Sequence, residues 1–345
     1  ISCGFDMCFA LDMRCGASGD ISHIGGEHYE HIGEPFPMSL SAPVSDNKEC
    51  GWMNSQLFDR HQRELFTIID NCGMSNKEIK LRKSRIRQSV DLIRRDESTE
   101  SYALYNQRAH EIDSIPFLQQ FGALTIAEDS RNAKGCDFVL KEHIYIECVC
   151  SSEGDLTKNK LDKFRNCKGL YDYGKKNTIL NTRFSSSLCD KKDFYNKRVG
   201  KSIPENYPYI IFLKTGSLAY EWDEEENGIA LLDILLGRGN KTVTIDNNNE
   251  IIGFGYTHNE NIEKHNGEKI NCNLFYDEDF QCVSAVLLTT AAPSVKYNND
   301  NIVLFINPFA KNKIYAKDFW GLTYWKVDKK GCCSPRRRGR VLKNR

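Results

Sequence analysis

The chain has 345 residues, an apolar content of 40% and a formal net charge of zero. This apolar content is sufficient for a hydrophobic core, which excludes a wholly disordered chain. No apolar run reaches the roughly 20 residues that a membrane-spanning helix needs. The zero net charge gives no general sign of a nucleic-acid-binding protein, so any such contact has to depend on local charge.

The chain contains 14 cysteines, but no two of them form a C-x-x-C pair. Cys148 and Cys150, like Cys332 and Cys333, lie too close together for zinc-ribbon spacing. We therefore expect free thiols in a reducing compartment, which predicts a cytoplasmic protein with no membrane partner.

The first 52 residues differ in composition from the rest of the chain. They are rich in Gly, Ser, Cys and His and show no sustained hydrophobic periodicity, so we treat residues 1–52 as a leader of uncertain order. His23, His28 and His31 offer ligands for a zinc site there. Scattered, solvent-exposed histidines are the simpler interpretation.

Three amphipathic helices are predicted next, at about residues 54–72, 75–95 and 98–120. The first two form an N-terminal helical segment, residues 53–100. The second helix is strongly basic, which predicts a solvated face, with phosphate contact as the alternative. The third carries Glu111 beside its apolar stripe, and Pro116 is expected to kink or shorten it.

Three short strands follow, at about residues 121–128, 135–140 and 144–150. Asp137 opens the second strand. Glu147 lies inside the third strand, between the apolar residues Ile146 and Val149. Because burying an unpaired charge is costly, two carboxylates on neighbouring strands predict a pair that can hold a hard divalent cation.

Two further helices and a fully buried strand are predicted at about residues 158–173, 181–199 and 207–214. Residues 158–201 contain thirteen lysines and arginines against four acidic residues. On the second helix, Arg183, Ser187 and Lys191 recur at i, i+4 and i+8, so they project from one side. This local positive charge could follow a nucleic-acid backbone.

The remainder predicts a C-terminal α+β extension, residues 216–328, packing on the core. It comprises a helix, a hairpin and two strands, at about residues 229–236, 242–257, 283–288 and 302–306. A basic tail at residues 329–345 is predicted to be disordered, and a nucleic-acid-binding arm is the alternative.

The order of elements over residues 101–215 predicts an α/β core with a central mixed sheet flanked by helices. With Asp137, Glu147 and a nearby lysine, this segment resembles the PD-(D/E)XK, or restriction-endonuclease-like, nuclease superfamily. In that superfamily the Asp and Glu bind magnesium, and a Lys two residues after the Glu assists the attacking water. This chain departs from the pattern at two positions: Cys136 replaces a proline, and Val149 replaces the lysine.

The resemblance implies a metal-dependent nuclease that favours DNA over RNA, with Mg²⁺ or Mn²⁺ held by Asp137 and Glu147. Lys191 or Arg183, from the helix after the strands, would replace the missing lysine, and Glu111 would supply a third carboxylate. One alternative is a protein of the same fold that has lost the chemistry and binds nucleic acid or a protein partner. Another is a cytosolic interaction protein in which Glu147 forms a structural ion pair with Arg183.

Overall fold

A computed structural model describes most of the chain after the leader. It covers residues 55–96, 99–127, 135–151, 170–215, 224–246, 248, 250–263, 267–291, 294–327 and 333–337. The leader with its three histidines lies outside the described residues. So does most of the helix predicted at residues 158–173.

Five α-helices form within this described part of the chain. They are α1 (Ser55–Asn71), α2 (Asn76–Asp96), α3 (Thr99–Gln119), α4 (Leu170–Arg198) and α5 (Glu224–Leu236). The first three agree with the prediction because each carries an apolar stripe that becomes buried, as Leu65 and Ile69 do on α1. Helix α3 passes through Pro116 and ends in the same turn at Gln119. None of these described helices combines the length and the apolar content that a membrane span requires.

The basic region after the third strand differs from its prediction. The sequence predicts a break between residues 173 and 181, but α4 continues through both positions as one helix. Leu180, Phe184 and Leu188 are all fully buried and recur at four-residue spacing. These buried residues lie on both sides of residue 181, where the second helix was predicted to begin. One continuous helix buries all of them on the same face.

Twelve strands are present among the described residues. They are β1 (Leu124–Ile126), β2 (Phe138–Leu140), β3 (Ile144–Cys150), β4 (Tyr209–Lys214), β5 (Arg238–Ile245), β6 (Ile251–His258), β7 (Asn261–Glu263), β8 (Lys269–Asn271), β9 (Val283–Thr289), β10 (Ile302–Ile306), β11 (Thr323–Val327) and β12 (Cys333–Arg337). Eight of them form one sheet in the order β1-β2-β3-β4-β9-β10-β11-β12. Parallel pairs join β3 to β4 and β4 to β9, whereas β1, β2 and β3 pair antiparallel. The predicted mixed α/β fold is thereby confirmed.

The central sheet extends beyond the predicted end of the core at residue 215. Strand β9 pairs with β4, with Ile211 opposite Val286, so strands predicted to lie in a C-terminal extension continue the core sheet. At the far edge, β12 pairs with β11, although the sequence predicts disorder from residue 329. The backbone of β11 supplies hydrogen-bond partners that the local sequence of the tail does not reveal.

Helices cover both faces of the sheet. Strand β4 is buried at every position, as predicted, and its side chains alternate between two cores. Ile210 and Phe212 pack toward α1, α2 and α3, while Tyr209 and Ile211 pack toward α4 and α5. A parallel strand covered on both faces is apolar almost throughout, which explains why its sequence lacks polar alternation.

Within the core on the α3 side lies the buried side chain of His110. Its Nε2 is 2.9 Å from the carbonyl oxygen of Phe212, and its Nδ1 is 2.9 Å from the hydroxyl of Tyr297. Because the carbonyl can only accept, the network assigns the ring proton to Nε2 and makes Tyr297 the donor to Nδ1. Burial, together with the positive charge of Lys214, lowers the pKa of His110 to about 3.

The neutral state of His110 makes the stability of the fold depend on pH. The unfolded residue protonates near pH 6.5 and the folded residue only near pH 3, so the free energy of unfolding falls as the pH drops below about 6.5. The contribution of this group approaches about 1.4 kcal/mol per pH unit. In His110→Gln, whose amide can still donate to Phe212, we expect lower stability at neutral pH but a shallower decline toward acid. Urea unfolding at several pH values measures both, and equal slopes for the two proteins would contradict the assignment.

Candidate functional site

The candidate site forms where β2 begins alongside β3. Phe138 and Ile146 make the last pair of the antiparallel ladder, so Asp137 lies just beyond it, next to Glu147. The turn that joins the strands contains Lys141 and Glu142, both in the left-handed region, with φ of 52° and 65°. The short β2 therefore brings the two predicted carboxylates together, and within the described part of the chain it leaves the edge of β3 unpaired from Glu147 onward.

Side chains replace the missing strand along this edge of β3. Asp137 Oδ2 accepts a 2.7 Å hydrogen bond from the N–H of Cys148. Gln107, on α3, accepts from the N–H of Cys150 at 2.7 Å and donates to the carbonyl of Cys148 at 3.3 Å. Buried backbone groups require such partners. The two side chains thus keep the sheet edge satisfied, and no other strand among the described residues pairs with β3 beside Glu147.

Lys191 contacts Glu147 from α4, which packs on the face of the sheet opposite to α3. Its Nζ lies 2.7 Å from Glu147 Oε1. The helix is fixed against the sheet by the buried side chains of Leu188 and Tyr195, and the hydroxyl of Tyr209 donates to the carbonyl of Lys191 at 3.0 Å. The structure therefore brings together three of the predicted site residues: Asp137, Glu147 and Lys191.

The charges at the site are strongly coupled. Glu147 is 4% exposed, and burial raises its pKa although Lys191 opposes the rise. Burial and the charges of Glu147 and Glu111 raise the pKa of Asp137 well above its usual range. For Lys191, burial alone would lower the pKa, but the Glu147 and Asp137 carboxylates outweigh it and raise the pKa. The two carboxylates thus carry more negative charge than the single ion pair with Lys191 balances.

Glu111 lies beside this pair, on α3. Its Oε1 accepts a 3.0 Å hydrogen bond from Gln107, and its Oε2 is 3.7 Å from Arg82 Nη1. Its charge contributes to the raised pKa values of Asp137 and Glu147. Within the described residues, however, no three His, Cys, Asp or Glu side chains come together as a complete metal-binding group. Glu111 therefore acts on the pair through its charge in this arrangement.

Sequence reasoning misses a second cation, Arg198. Lys191 Nζ lies 5.4 Å, and Arg198 Cζ 3.2 Å, from the ring centre of Phe194. Arg198 is close enough for its charge to oppose the rise in the pKa of Glu147 that burial causes, and its buried Nη1 has no hydrogen-bond partner among the described residues. The seven-residue spacing from Lys191, which places both on one helical face, was the available signal. The predicted residue Arg183 is partly buried two turns before Lys191, and its role stays a prediction.

The donor set fits a hard divalent cation. Glu147 Oε2 is buried and has no hydrogen-bond partner in the described structure. A cation between Asp137 and Glu147 would satisfy this oxygen and relieve the repulsion between the carboxylates. Mg²⁺ is commonly held by one or two protein carboxylates, with water and phosphate oxygens completing its shell. The two carboxylates are therefore suitable ligands for Mg²⁺ or Mn²⁺.

Comparison with protein-family models, with curated proteins and with solved structures returned no match. Functional interpretation therefore depends on the geometry of Asp137, Glu147 and Lys191.

The raised pKa of Asp137 predicts a stabilising substitution. Ionisation of this carboxyl group opposes folding, so the penalty is absent below the unfolded pKa of about 4 and grows as the pH rises toward the folded pKa. Asp137→Asn keeps an oxygen acceptor for the N–H of Cys148 and removes the charge. We expect its free energy of unfolding at pH 7, measured by urea unfolding, to exceed that of the wild type. The expected gain is about 1.4 kcal/mol for each unit by which the folded state raises the pKa of Asp137.

The same comparison near pH 4 should show little difference between the two proteins, because neither side chain is then charged. Asp91→Asn, at an exposed position on α2, is the matched control. Lower stability of Asp137→Asn than of the wild type at pH 7 would show that the carboxylate is favourable as placed.

Proposed function

We propose that this protein is a metal-dependent nuclease that hydrolyses phosphodiester bonds in nucleic acid, with DNA as the favoured substrate. The observation that carries the proposal is the 2.7 Å contact between Lys191 and Glu147. The lysine missing at position 149 is supplied from α4, at the carboxylate that lies beside Asp137. A restriction-endonuclease-like core is part of the same proposal, supported by the order α3, β1, β2, β3, α4 and β4.

Each side chain has a separate task in this proposal. Asp137 and Glu147 would hold a divalent cation, which when bound polarises a phosphodiester oxygen and lowers the pKa of a bound water. Lys191 would stabilise the additional negative charge of the pentavalent transition state. Gln107 and the N–H of Cys148 orient the carboxylate edge, because they fix β3 where β2 no longer pairs with it.

Helix α4 supplies the charge that a polyanion requires. Lys197 and Arg198 form its last turn, one to two turns beyond Lys191. The Nη1 of Arg198, which has no hydrogen-bond partner among the described residues, and the partly exposed side chain of Lys191 offer donors to phosphate oxygens. Because Arg198 and Lys191 share one face, we infer that the strand to be cut lies along the C-terminal half of α4.

A catalytically inactive protein of the same fold is the second candidate. The observation that favours it is that the contacts at the site also have a purely structural explanation, which requires no catalysis. Lys191 neutralises a buried Glu147, and Asp137 satisfies the N–H of an uncovered strand. Such a protein would bind nucleic acid, or another protein, without cleaving it.

Metal binding can be tested without any nuclease assay. Mg²⁺ or Mn²⁺ binds the native state only, so either cation should raise the thermal unfolding midpoint of the wild type in a saturable manner. Asp137→Asn should lose this response, because it removes one of the two anionic ligands. Asp91→Asn should respond as the wild type does. An unchanged response in Asp137→Asn would remove Asp137 from the metal site.

Cleavage of plasmid, linear duplex and single-stranded substrates, DNA and RNA, tests the activity itself. The wild type should cleave with Mg²⁺ or Mn²⁺ and not with EDTA, and Glu147→Ala should be inactive. We expect Lys191→Met to be slower by about two orders of magnitude, because it removes a charge aimed at the transition state. Lys317→Met, an exposed lysine on the 3₁₀ helix Ala316–Phe319, serves as the control for removal of a positive charge.

Equal cleavage by the wild type and Glu147→Ala would contradict the nuclease proposal. Tight binding of nucleic acid by a folded wild type, with no cleavage under any metal condition, would favour the inactive candidate instead. Circular dichroism of each variant is needed alongside, because loss of one partner of a buried ion pair can destabilise the fold by about 3–5 kcal/mol.

A further inference from the structure

Three aromatic rings cluster close to the carboxylate pair, at the end of the sheet where β3 and β4 begin. The rings of Tyr145 and Tyr207, which we call the tyrosine stack, have centres 6.0 Å apart and planes only 19° from parallel. The ring of His143 lies 6.4 Å from that of Tyr207 and is tilted by 56°. Tyr207 is 39% exposed, and His143 is exposed as well. An aromatic surface is therefore open to solvent here.

The tyrosine stack lies on the same side of the sheet as the carboxylate pair. Tyr145 and Glu147 are two positions apart on β3, and Ile146 between them packs in the core of α1, α2 and α3. Tyr145 packs instead against the core of α4 and α5. Two residues of a strand span about 6.6 Å, and their side chains share a face. The ring of Tyr145 is therefore the next side chain along the face that carries Glu147.

The segment that carries Tyr207 is held in place by hydrogen bonds. The side-chain amide of Asn312 donates to the carbonyl of Tyr207 at 3.1 Å and to that of Glu205 at 2.6 Å. The N–H of Tyr145 donates to the carbonyl of Pro208 at 2.9 Å, and the proline ring restricts the backbone there. The stack is thus formed before any ligand arrives, which lowers the entropic cost of binding.

Positive charge lies close to the tyrosine stack. Burial raises the pKa of the Cys136 thiol, and the charges of Arg198 and Lys191 oppose this rise. Burial also raises the pKa of Tyr145, and Cys136 is the next cause of that rise. Cys136 is therefore a common neighbour of the two cations and the stack. The hydroxyl of Tyr209, which lies beside Tyr145 in the sheet, donates to the carbonyl of Lys191 at 3.0 Å.

Aromatic rings beside cations form the combination that single-stranded nucleic acid requires. Cations pair with the phosphates, and rings stack on the bases. Within a duplex the faces of each base are covered by its neighbours, so a side chain can stack only on a base that is unpaired or extruded. An apolar protein segment would gain from the rings, but it would leave Arg198 and Lys191 without an anionic partner on the ligand. The charge therefore favours a nucleic-acid strand as the occupant.

We propose that the tyrosine stack binds an unpaired nucleobase next to the phosphate that is held at Asp137 and Glu147. This inference rests on the proposed function, because it takes the ligand of the site to be a nucleic-acid strand. It narrows the substrate to single-stranded or locally opened nucleic acid. Tyr207 supplies the exposed ring, Tyr145 supports it, and Asn312 positions the segment that carries Tyr207.

Binding of a labelled single-stranded oligonucleotide to the full chain tests the inference, with EDTA present so that no cleavage occurs. Tyr207→Ala should bind the single strand about tenfold more weakly than the wild type, because one stacked base is lost. Tyr207→Phe keeps the ring and should bind nearly as tightly as the wild type. The loss in Tyr207→Ala should be smaller for a duplex of the same sequence.

Tyr315→Ala is the matched control for removal of an exposed tyrosine. Tyr315 is 58% exposed, and the neighbouring Ile314 and Phe319 pack in the core of α1, α2 and α3, on the other side of the sheet. This variant should bind the single strand as the wild type does. An equal loss of affinity in Tyr315→Ala and Tyr207→Ala would overturn the inference, because the effect would not be specific to the stack.

Photocrosslinking locates the contact in the wild type and needs no substitution. A single-stranded oligonucleotide that carries 5-iodouracil is bound in EDTA and irradiated, and the crosslinked peptide is identified by mass spectrometry. We expect a crosslink at Tyr207, because its ring is the exposed member of the stack. Crosslinks found only at residues outside the tyrosine stack would overturn the inference, even if Tyr207→Ala fails to fold.

Failure of this inference can be distinguished from failure of the proposed function. If the wild type cleaves nucleic acid and Tyr207→Ala binds the single strand as tightly as the wild type, the inference is wrong and the nuclease proposal stands. If the wild type binds the single strand through Tyr207 but cleaves nothing under any metal condition, the base-binding site stands and the nuclease proposal is wrong. Absence of any nucleic-acid binding by the wild type would contradict both.

Discussion

The ion pair between Glu147 and Lys191 is the contact on which the site depends. Glu147 lies inside a central strand at 4% exposure, where a lone carboxylate would carry a large desolvation penalty. Lys191 offsets that penalty from a different element, so α4 must pack closely on the sheet. The buried face of α4 and the hydroxyl of Tyr209 enforce this packing. Because Glu147 and Lys191 need one another, any substitution of either has to be judged for folding as well as for activity.

The second constraint is the late start of β2, at Phe138. A longer β2 would pair with Cys148 and Cys150 and cover the edge that Glu147 occupies. The chain instead satisfies that edge with the side chains of Asp137 and Gln107. Burial, together with the concentration of negative charge, raises the pKa of Asp137, so its ionisation opposes folding at neutral pH. Unfavourable charge pairs of this kind are typical of functional sites, which often have perturbed pKa values and lower the stability of the fold.

The alternation of side chains along the central strands separates two kinds of charge. The α4 face holds the carboxylate pair with its lysine, and the α3 face holds Lys214 near the neutral His110. Each face contains polar atoms without hydrogen-bond partners among the described residues: Glu147 Oε2 on one and Lys214 Nζ on the other. The alternation thus keeps the buried carboxylates and the buried ammonium of Lys214 on opposite sides of the sheet.

The sequence predicted those features that depend on local pattern. Apolar stripes located α1, α2 and α3, β-branched runs located β3 and β4, and helical spacing singled out Lys191. The residues that complete the site were not predicted, because Gln107 and Arg198 acquire their roles only when α3 and α4 pack against the edge of β3.

The sequence by itself thus determined which residues form helices and strands and which charges stand among apolar neighbours. Only the tertiary structure decided that β9 and β10 extend the core sheet and that β12 pairs with β11. It also decided that Lys191 neutralises Glu147, and that the buried Lys214 has no hydrogen-bond partner among the residues described. The physical reason is that periodicity reports which face of an element becomes buried. Strand order and the pairing of buried charges depend instead on contacts between residues far apart in the chain.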